Sequence, residues 1–264
     1  MFNTKKPFLF SNSFYFLLIT LESILCFLLN YVTEKLNYTI TLPYGLPTEF
    51  AHLFGKVLNE RINEDMKVLE IGIGSGILAI LAGQNGAHVT GFDIHPDAPS
   101  LCEKNWMLNE LNESAYHFSH SDMFSALSST QKNSFEVVWS NAPTFPGQPE
   151  KERAHRNDFE LAGEEGRYVL DHMICNSSEW LQEGGHMITV ATSKQSWRKT
   201  EELMNKHWKK WQVVMTQDLL LADHYHAYID YWLDKEKLDN EARIFKIDGQ
   251  WYQRLYLIEG IYAS

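Results

Sequence analysis

Cysteine is scarce in this sequence, and its scarcity excludes two classes of protein. The chain has 3 cysteines in 264 residues, and Cys26, Cys102 and Cys175 lie far apart. An odd number at such spacing excludes a disulfide framework and the paired spacing of a zinc site. We expect each cysteine to be a small buried hydrophobe in a protein of the reducing cytoplasm.

Basic residues are also fewer than acidic residues. The chain has 23 Lys and Arg against 34 Asp and Glu, with a formal net charge of -11 and an isoelectric point near 5.4. A surface that follows the phosphates of nucleic acid needs the opposite balance, so nucleic acid is a disfavoured partner. One basic cluster occurs on a predicted helix over 196–210 and is interpreted as a solvated face: Arg198, Lys199, Lys206, Lys209 and Lys210.

No apolar run is long enough to span a bilayer. The uncharged stretch from Pro7 to Leu21 is short, Glu22 interrupts the run that follows, and no small-residue cleavage site follows the Lys5-Lys6 start. Apolar residues instead recur at helical spacing, which predicts an amphipathic helix over 8–32 with the stripe Phe14, Leu18, Leu21, Leu25, Leu28 and Val32.

This predicted helix is expected to pack on the rest of the chain or on a second subunit, so a homodimer through it is one expectation. A membrane-surface anchor would need a basic polar face, which the helix lacks. Two prolines and a glycine then break the pattern near Pro43. The sequence therefore predicts a helical extension over 1–42 and one main domain over 43–264.

The chain is organised around residues 67–76, Lys-Val-Leu-Glu-Ile-Gly-Ile-Gly-Ser-Gly. The apolar residues predict a buried parallel strand, and the apolar run after the glycines predicts a helix packed on it. Gly72, Gly74 and Gly76 permit positive φ and leave room beside the backbone, while the start of the helix offers unpaired N–H groups. We expect a ligand at this turn, with Glu70 as an anchor for an amine or hydroxyl.

Two kinds of nucleotide site compete for this turn. The dinucleotide fingerprint Gly-x-Gly-x-x-Ala fits the residues from Gly74 onward, with Asp93 as the ribose acid. The register that directly follows the strand, Glu70-x-Gly72-x-Gly74-x-Gly76, resembles motif I of the class I S-adenosylmethionine-dependent methyltransferases. A carboxylate near the turn suits a cationic ligand better than a pyrophosphate. The resemblance implies that this acid and the three glycines hold the methionine part of S-adenosyl-L-methionine.

Two acids after the following strands complete the predicted cofactor site. Asp93 ends the predicted second strand, where the chain returns beside the glycine turn and a carboxylate can accept both ribose hydroxyls. By the resemblance, Asp122 after the third strand receives the adenine amino group. Ile94 and Met123, which follow these acids, belong to the same predicted site.

The fourth predicted strand runs into Asn-Ala-Pro-Thr-Phe, from Asn141 to Phe145. This loop resembles the Asn-Pro-Pro-Tyr motif of methyltransferases that modify amide or ring-attached nitrogens, although Ala142 replaces a proline and Thr144 replaces the stacking aromatic. The resemblance implies that Asn141, which also borders the cofactor, and the Ala142 carbonyl accept the hydrogens of a target amino group, while Pro143 stiffens the loop. Such positioning is worth about 7–11 kcal/mol. Phe145 is then the nearest ring for stacking on a substrate, and Thr144 lies beside it.

The loop before a predicted helix over 50–62 offers Tyr44 and Thr48 as further candidates for the substrate side. The polar residues 148–166 predict a lid. Its last residues, Gly-Glu-Glu-Gly, resemble the Gly-Gly-x-Asp-Gly segment that follows the acceptor motif in release-factor glutamine methyltransferases.

Residues 223–232 are dense in His and Tyr. His224 and His226 with Asp223 imitate a metal site, but no other ligand cluster completes it. The stretch is interpreted as an aromatic insertion that shapes the substrate pocket, and no metal is predicted.

These patterns predict a doubly wound α/β fold with a seven-stranded, mostly parallel sheet, whose last pair is antiparallel, and an N-terminal helical extension. The resemblance covers about residues 43–192 and implies methyl transfer from S-adenosylmethionine to a nitrogen of a small metabolite or a protein side chain. Four alternatives stay open: an enzyme that breaks another sulfonium bond, an rRNA N-methyltransferase, a binding module without turnover, and an NAD-dependent dehydrogenase.

Overall fold

A computed structural model describes residues 49–146, 162–163 and 165–263. The described part of the chain does not include the predicted helix over 8–32, the candidates Tyr44 and Thr48, or residues 148–161 and 164 of the predicted lid. The predicted domain boundary near Pro43 therefore stays a prediction. Among the described helices, none is long and apolar enough to cross a membrane.

The described residues alternate between strands and helices along most of their length. The helices are α1 (Glu49–Asn59), α2 (Ile77–Gln84), α3 (Ala98–Leu108), α4 (Tyr168–Asn176), α5 (Trp197–His207) and α6 (Ile229–Asp239). The strands are β1 (Lys67–Ile71), β2 (His88–Asp93), β3 (Tyr116–His120), β4 (Phe135–Ser140), β5 (Leu181–Thr192), β6 (Lys210–Leu220), β7 (Phe245–Ile247) and β8 (Gln250–Ile261). This alternation is typical of an α/β domain with a central sheet.

All of these strands belong to one twisted sheet in the order β3-β2-β1-β4-β5-β8-β6, and β7 pairs with β8. Strands β1 to β5 are parallel to one another, and β8 is antiparallel to both β5 and β6. The doubly wound, mostly parallel sheet is thus confirmed. Seven strands form this order, as predicted, and the three-residue strand β7 adds an eighth as the first arm of a hairpin about Asp248 and Gly249.

One helix of this part of the chain was not predicted. Residues 223–232 were interpreted as an insertion because His and Tyr dominate them, but the structure has a 3₁₀ turn, Asp223–Tyr228, followed by α6. Trp232 is the one fully buried side chain of α6. Because the buried stripe of α6 is so narrow, its sequence has little of the apolar repeat every three to four residues from which a helix is predicted.

The core is built around β1, which lies between β2 and β4. Val68 and Leu69 are fully buried, as is Ile80 on α2, the helix that follows the glycine turn. Burying a side chain of this size contributes about 1.5–3 kcal/mol. Cys102 on α3 is also buried, whereas Cys175 on α4 is partly exposed. The central strand therefore holds the turn that follows it in a fixed place.

A buried carboxylate on β8 joins three separate elements. Glu259 accepts hydrogen bonds from Arg61 Nε at 2.8 Å and Gln212 Nε2 at 2.7 Å, and its Oε1 lies 2.9 Å from His186 Nδ1. Burial alone raises the pKa of Glu259, but the hydrogen bonds from His186, Arg61 and Gln212 outweigh it and lower the pKa to about 2. Ionised Glu259 is therefore a stabilising group.

We expect Glu259→Gln to make the stability of the protein less dependent on acid pH. The pKa of Glu259 is lower in the folded state than in the unfolded state, so its contribution is present above about pH 4.5 and is lost as the pH falls towards 2. Urea unfolding at pH 7 should show that the free energy of unfolding is about 2 kcal/mol lower in the variant than in the wild type. This difference should be smaller at pH 3. Glu60→Gln is the matched control, because Glu60 also pairs with Arg61 but is 73% exposed. A constant difference between wild type and Glu259→Gln across this range would contradict the prediction.

Candidate active site

The carboxyl ends of β1, β2 and β4 meet at one edge of the sheet, where the strand order reverses. Glu70 on β1 pairs with Trp139 on β4, and Ile71 pairs with Phe92 on β2. The Ser140 hydroxyl donates to the Ile71 carbonyl at 2.7 Å and so fixes the end of β4 against the end of β1. Open α/β sheets bind their ligands in the crevice at such a switch point.

Asp93 lies at this edge, and the glycine turn holds its carboxylate. The Gly74 amide donates to Asp93 Oδ2 at 2.8 Å, and the His95 amide donates to Oδ1 at 2.8 Å. The Gly72 amide donates to the Phe92 carbonyl at 2.7 Å, which ties the turn to β2. Because a carboxylate has about four acceptor positions, Asp93 keeps capacity to accept two further hydroxyl groups.

The three glycines of the turn have different surroundings. Gly72, Gly74 and Gly76 all have positive φ, at 79°, 51° and 87°. A Cβ on Gly74 would meet no described atom within 4 Å, and one on Gly72 would meet only Ser140 Oγ, at 4.0 Å. A Cβ on Gly76 would lie 2.4 Å from Cys102 Sγ. Gly72 and Gly74 therefore border space that a ligand can enter, whereas Gly76 allows α2 to pack against α3.

Glu70 is 1% exposed and offers almost no surface to a ligand. Burial raises the pKa of its carboxyl well above the usual range; the Trp139 indole and the Ala79 amide lower it in part, and the charge of Asp93 raises it further. Glu70 Oε2 and Trp139 Nε1 both lack a well-formed hydrogen bond among the described residues. This burial argues against the predicted direct contact between Glu70 and an amine, and the Ala79 contact places Glu70 as a support for the start of α2.

The two predicted nucleoside acids are neighbours. The Ser121 amide donates to the Asp93 carbonyl at 2.9 Å, so Asp122, one residue further on, lies exposed beside the end of β2. Ile94 is 43% exposed, an unusual environment for an isoleucine, and Met123 is buried in the core. Of these candidates, Met123 is the one whose side chain is buried in the protein interior.

The acceptor loop after β4 exposes two of its residues and buries three. Asn141 and Pro143 are partly exposed, whereas Ala142, Thr144 and Phe145 are buried. Asn141 directly follows the strand end that Ser140 fixes beside the glycine turn, so it lies at the mouth of the crevice. The burial of Thr144 and Phe145 argues against the predicted contact of these two side chains with a substrate.

Thr144 and Phe145 instead belong to a buried cluster around Lys194, which is 2% exposed in the turn after β5. Lys194 Nζ donates to the Thr144 hydroxyl at 3.3 Å and lies 3.5 Å from the centroid of the Tyr225 ring. Phe145 stacks on the same ring with centroids 4.3 Å apart. A desolvated cation–π contact is worth about 2 kcal/mol. Lys194 and Tyr225 thus hold the acceptor loop in place. Lys194 was not predicted as a residue of the site, although its position after a parallel strand is a signal in the sequence that could have identified it.

Gly166 and Arg167 fix the acceptor loop from another side. A Cβ on Gly166 would lie 2.5 Å from the Thr144 carbonyl oxygen, and the φ of Gly166 is 71°. The buried Arg167 guanidinium donates to the Ser196 carbonyl at 3.0 Å and to the Asp171 carboxylate at 2.6 Å. The end of the predicted lid is therefore anchored against the loop that it follows.

Gly166→Ala is expected to displace the acceptor loop and leave the glycine turn in place. We expect methyl transfer to fall at least about 10-fold, affinity for S-adenosylhomocysteine to stay within about twofold, and the protein to lose about 2–4 kcal/mol of stability. Gly184→Ala is the matched control, because Gly184 has a φ of 78° but no described atom within 4 Å of an added Cβ. The rate of methyl transfer, the affinity for S-adenosylhomocysteine by calorimetry and the stability by urea unfolding are measured for both variants. Equal rates of methyl transfer in Gly166→Ala and Gly184→Ala would contradict the prediction.

The stretch around 223–232 is part of an aromatic cluster. Phe145, Leu221, Tyr228, Trp232 and Ile244 form its buried centre. His226 Nε2 lies 3.2 Å from the Leu221 carbonyl, and the side chain of His224 is outside the described part. Among the described side chains, no group of three or more His, Cys, Asp or Glu is placed to hold a metal ion.

The strand order, the glycine turn and the acid at the end of β2 define the Rossmann-like class of S-adenosylmethionine-dependent methyltransferases. Residues 51–219 match the family model of the methyltransferase small domain, and the chain belongs to this family. It is an S-adenosylmethionine-dependent methyltransferase. The family assignment confirms the resemblance inferred from residues 43–192.

Two curated relatives carry names that concern glutamine. The chain is 35% identical over 141 residues, 53% of this chain and 67% of the relative, to a protein of Methanocaldococcus jannaschii provisionally named a protein N5-glutamine methyltransferase. It is 28% identical over 153 residues to the release factor glutamine methyltransferase of Deinococcus radiodurans, covering 55% of this chain and 52% of the relative. The second match thus spans about half of the relative.

Solved structures share the fold at low identity. The YcgJ protein of Bacillus subtilis has a TM-score of 0.54 and 14% identity, over 81% of this chain and 99% of that one. The E. cuniculi Mtq2–Trm112 complex, which methylates the translation termination factor eRF1, has a TM-score of 0.50 and 14% identity, over 84% of this chain and 100% of that one. At such identity, these likenesses concern the fold alone.

Proposed function

We propose that this protein transfers the methyl group of S-adenosylmethionine to a nitrogen of a protein side chain or a small molecule, with a carboxamide nitrogen as the favoured target. The observation that carries the proposal is the meeting of the open side of the glycine turn, Asp93 and Asn141 at one crevice. Two relatives named for glutamine methylation support the carboxamide.

The crevice fits the cofactor in two respects. Gly72 and Gly74 leave a cradle that a Cβ would enter, and Asp93 is held by two backbone amides with acceptor capacity to spare. We assign the methionine part to the glycine turn, the ribose hydroxyls to Asp93, and the adenine amino group to Asp122 with Ile94 as an apolar wall. Glu70 and Gly76 support the turn and α2.

The acceptor loop supplies position rather than a strong base. The bound cofactor supplies a methyl group that its sulfonium already activates, so the protein has to aim a nitrogen lone pair at that carbon. The Asn141 side-chain oxygen and the Ala142 carbonyl are proposed to accept the two N–H groups of the target, and the nitrogen gives up one of these two protons to water when it is methylated. Near-attack geometry of this kind is worth about 7–11 kcal/mol. Lys194 and Gly166 keep the loop in place through Thr144.

The charge balance favours a protein or metabolite over RNA as acceptor. A chain with a net charge of -11 lacks the cation excess that tracks a phosphate backbone. One of the basic residues of α5 is also paired with acids, since Lys199 Nζ lies 3.5 Å from Glu165 Oε2 and 3.8 Å from Asp171 Oδ2. We place the reaction in the cytoplasm on the low cysteine content, and a homodimer through residues 8–32 stays a prediction.

The test is a labelling experiment with the purified protein. S-Adenosylmethionine carrying a tritiated methyl group is incubated with a cell extract, and both the nucleoside by-product and the labelled fraction are analysed. We expect S-adenosylhomocysteine and label in protein, with N-methylglutamine after digestion. Methylthioadenosine would reveal cleavage of another sulfonium bond, label in RNA would favour the rRNA alternative, and stabilisation by NADH alone would support a dehydrogenase.

A further inference from the structure

Tyr168 is an exposed tyrosine that is held at both ends of its side chain. It is the first residue of α4 and is 42% exposed. Its hydroxyl donates to Asp122, at 3.2 Å from Oδ2 and 3.4 Å from Oδ1. Its ring packs on His172 with centroids 4.4 Å apart, and His172 Nδ1 lies 2.8 Å from the Tyr168 carbonyl. An exposed side chain fixed in this way is prepared for contact with another molecule.

The backbone of Tyr168 is also tied to the acceptor loop. Its amide donates to the Ala162 carbonyl at 2.8 Å, and the Ala162 amide donates to the Phe145 carbonyl at 3.0 Å. One residue therefore contacts the acid assigned to adenine through its side chain, and reaches the loop assigned to the acceptor through two backbone hydrogen bonds.

We propose that Tyr168 is a positioning residue that orients the Asp122 carboxylate for the adenine amino group and so makes the site select adenine over purines without that group. This inference rests on the proposed function and adds a residue to it. A hydroxyl that donates to a carboxylate fixes its rotation. A carboxylate so fixed presents its remaining acceptor positions in one direction, which suits an N–H donor. Partial burial raises the pKa of the Tyr168 hydroxyl, and the charge and hydrogen bond of Asp122 raise it further, in agreement with this contact.

The test measures binding to the full chain by calorimetry with two probes. One is S-adenosylhomocysteine, and the other is its purine analogue, in which hydrogen replaces the 6-amino group. We expect Tyr168→Phe to lower the affinity for S-adenosylhomocysteine about fivefold and to leave the affinity for the purine analogue unchanged. Asp122→Asn should lower the affinity for S-adenosylhomocysteine about 10-fold or more. Tyr116→Phe is the matched control, because the Tyr116 hydroxyl donates to Glu103 at 2.6 Å from the opposite end of β3.

The outcomes separate this inference from the proposed function. Weakening by Asp122→Asn together with wild-type binding by Tyr168→Phe would overturn the role of Tyr168 and leave the cofactor assignment standing. Equal weakening of both probes by Tyr168→Phe would show a merely structural residue and overturn the inference. Tighter binding by Tyr168→Phe would show that the hydroxyl competes with adenine, which also overturns it. Failure of the wild type to bind S-adenosylhomocysteine would count against the proposed function itself.

Discussion

Asp93→Ala is expected to reduce affinity for S-adenosylhomocysteine about 100-fold. Asp93 is assigned to the ribose hydroxyls, and hydrogen bonds to a charged group contribute about 1.5–3 kcal/mol each. The same carboxylate accepts hydrogen bonds from the Gly74 and His95 amides, so the variant also leaves two backbone donors without this acceptor. Calorimetry with S-adenosylhomocysteine measures the affinity, and urea unfolding measures the accompanying loss of about 1–3 kcal/mol.

Asp97→Ala is the matched control for this prediction. It removes the same charge four residues further along, but Asp97 is exposed and its side chain makes no capping hydrogen bond to α3. We expect its affinity to stay within about twofold of wild type. Loss of affinity in both variants would show a general charge effect rather than a ribose contact. Loss in neither would remove Asp93 from the cofactor site.

The sequence predicts the central part of the sheet well because the information there is local. Strands β1, β2 and β4 are short, largely buried runs that end at a glycine turn or a polar residue, and parallel strands buried on both faces favour such runs. The glycine turn follows β1, Asp93 is the last residue of β2, and Asn141 follows β4. Their meeting at one edge follows from parallel topology alone, so these positions could be placed without knowing any side-chain contact.

The parts that the sequence did not predict depend on contacts between distant residues. Lys194 joins Thr144 and Tyr225, and Tyr168 joins Asp122, across separations that no local pattern records.

Burial explains why two predicted roles change. Motif spacing identifies Glu70 and Phe145 as residues of the site, but it does not say which way a side chain points. Glu70 lies beneath the turn against Trp139 and the start of α2, and Phe145 is stacked on Tyr225. In the proposed site both therefore support neighbouring residues that are open to the crevice, and we expect a flat substrate to stack on a ring other than Phe145.

Asn141→Ala is expected to reduce the rate of methyl transfer about 100- to 1,000-fold while leaving cofactor affinity within about threefold. Asn141 is partly exposed at the mouth of the crevice, and Ser140 fixes the strand end before it. Removing its carboxamide removes an oxygen that holds the target nitrogen, and an unheld nitrogen rarely reaches near-attack geometry. The rate is measured with tritiated S-adenosylmethionine and the protein fraction labelled in the extract, and affinity is measured by calorimetry with S-adenosylhomocysteine.

The two measurements together decide between the two roles that the sequence assigns to Asn141. A residue that only positions the acceptor changes the rate and not the affinity, whereas one that binds the cofactor lowers both. Asn141→Asp keeps one oxygen in the same place and should retain more activity than Asn141→Ala. If the aspartate variant is as inactive as the alanine variant while cofactor affinity is intact, the amide N–H groups of Asn141 are required, and the target contacts it through an acceptor atom instead of a donor.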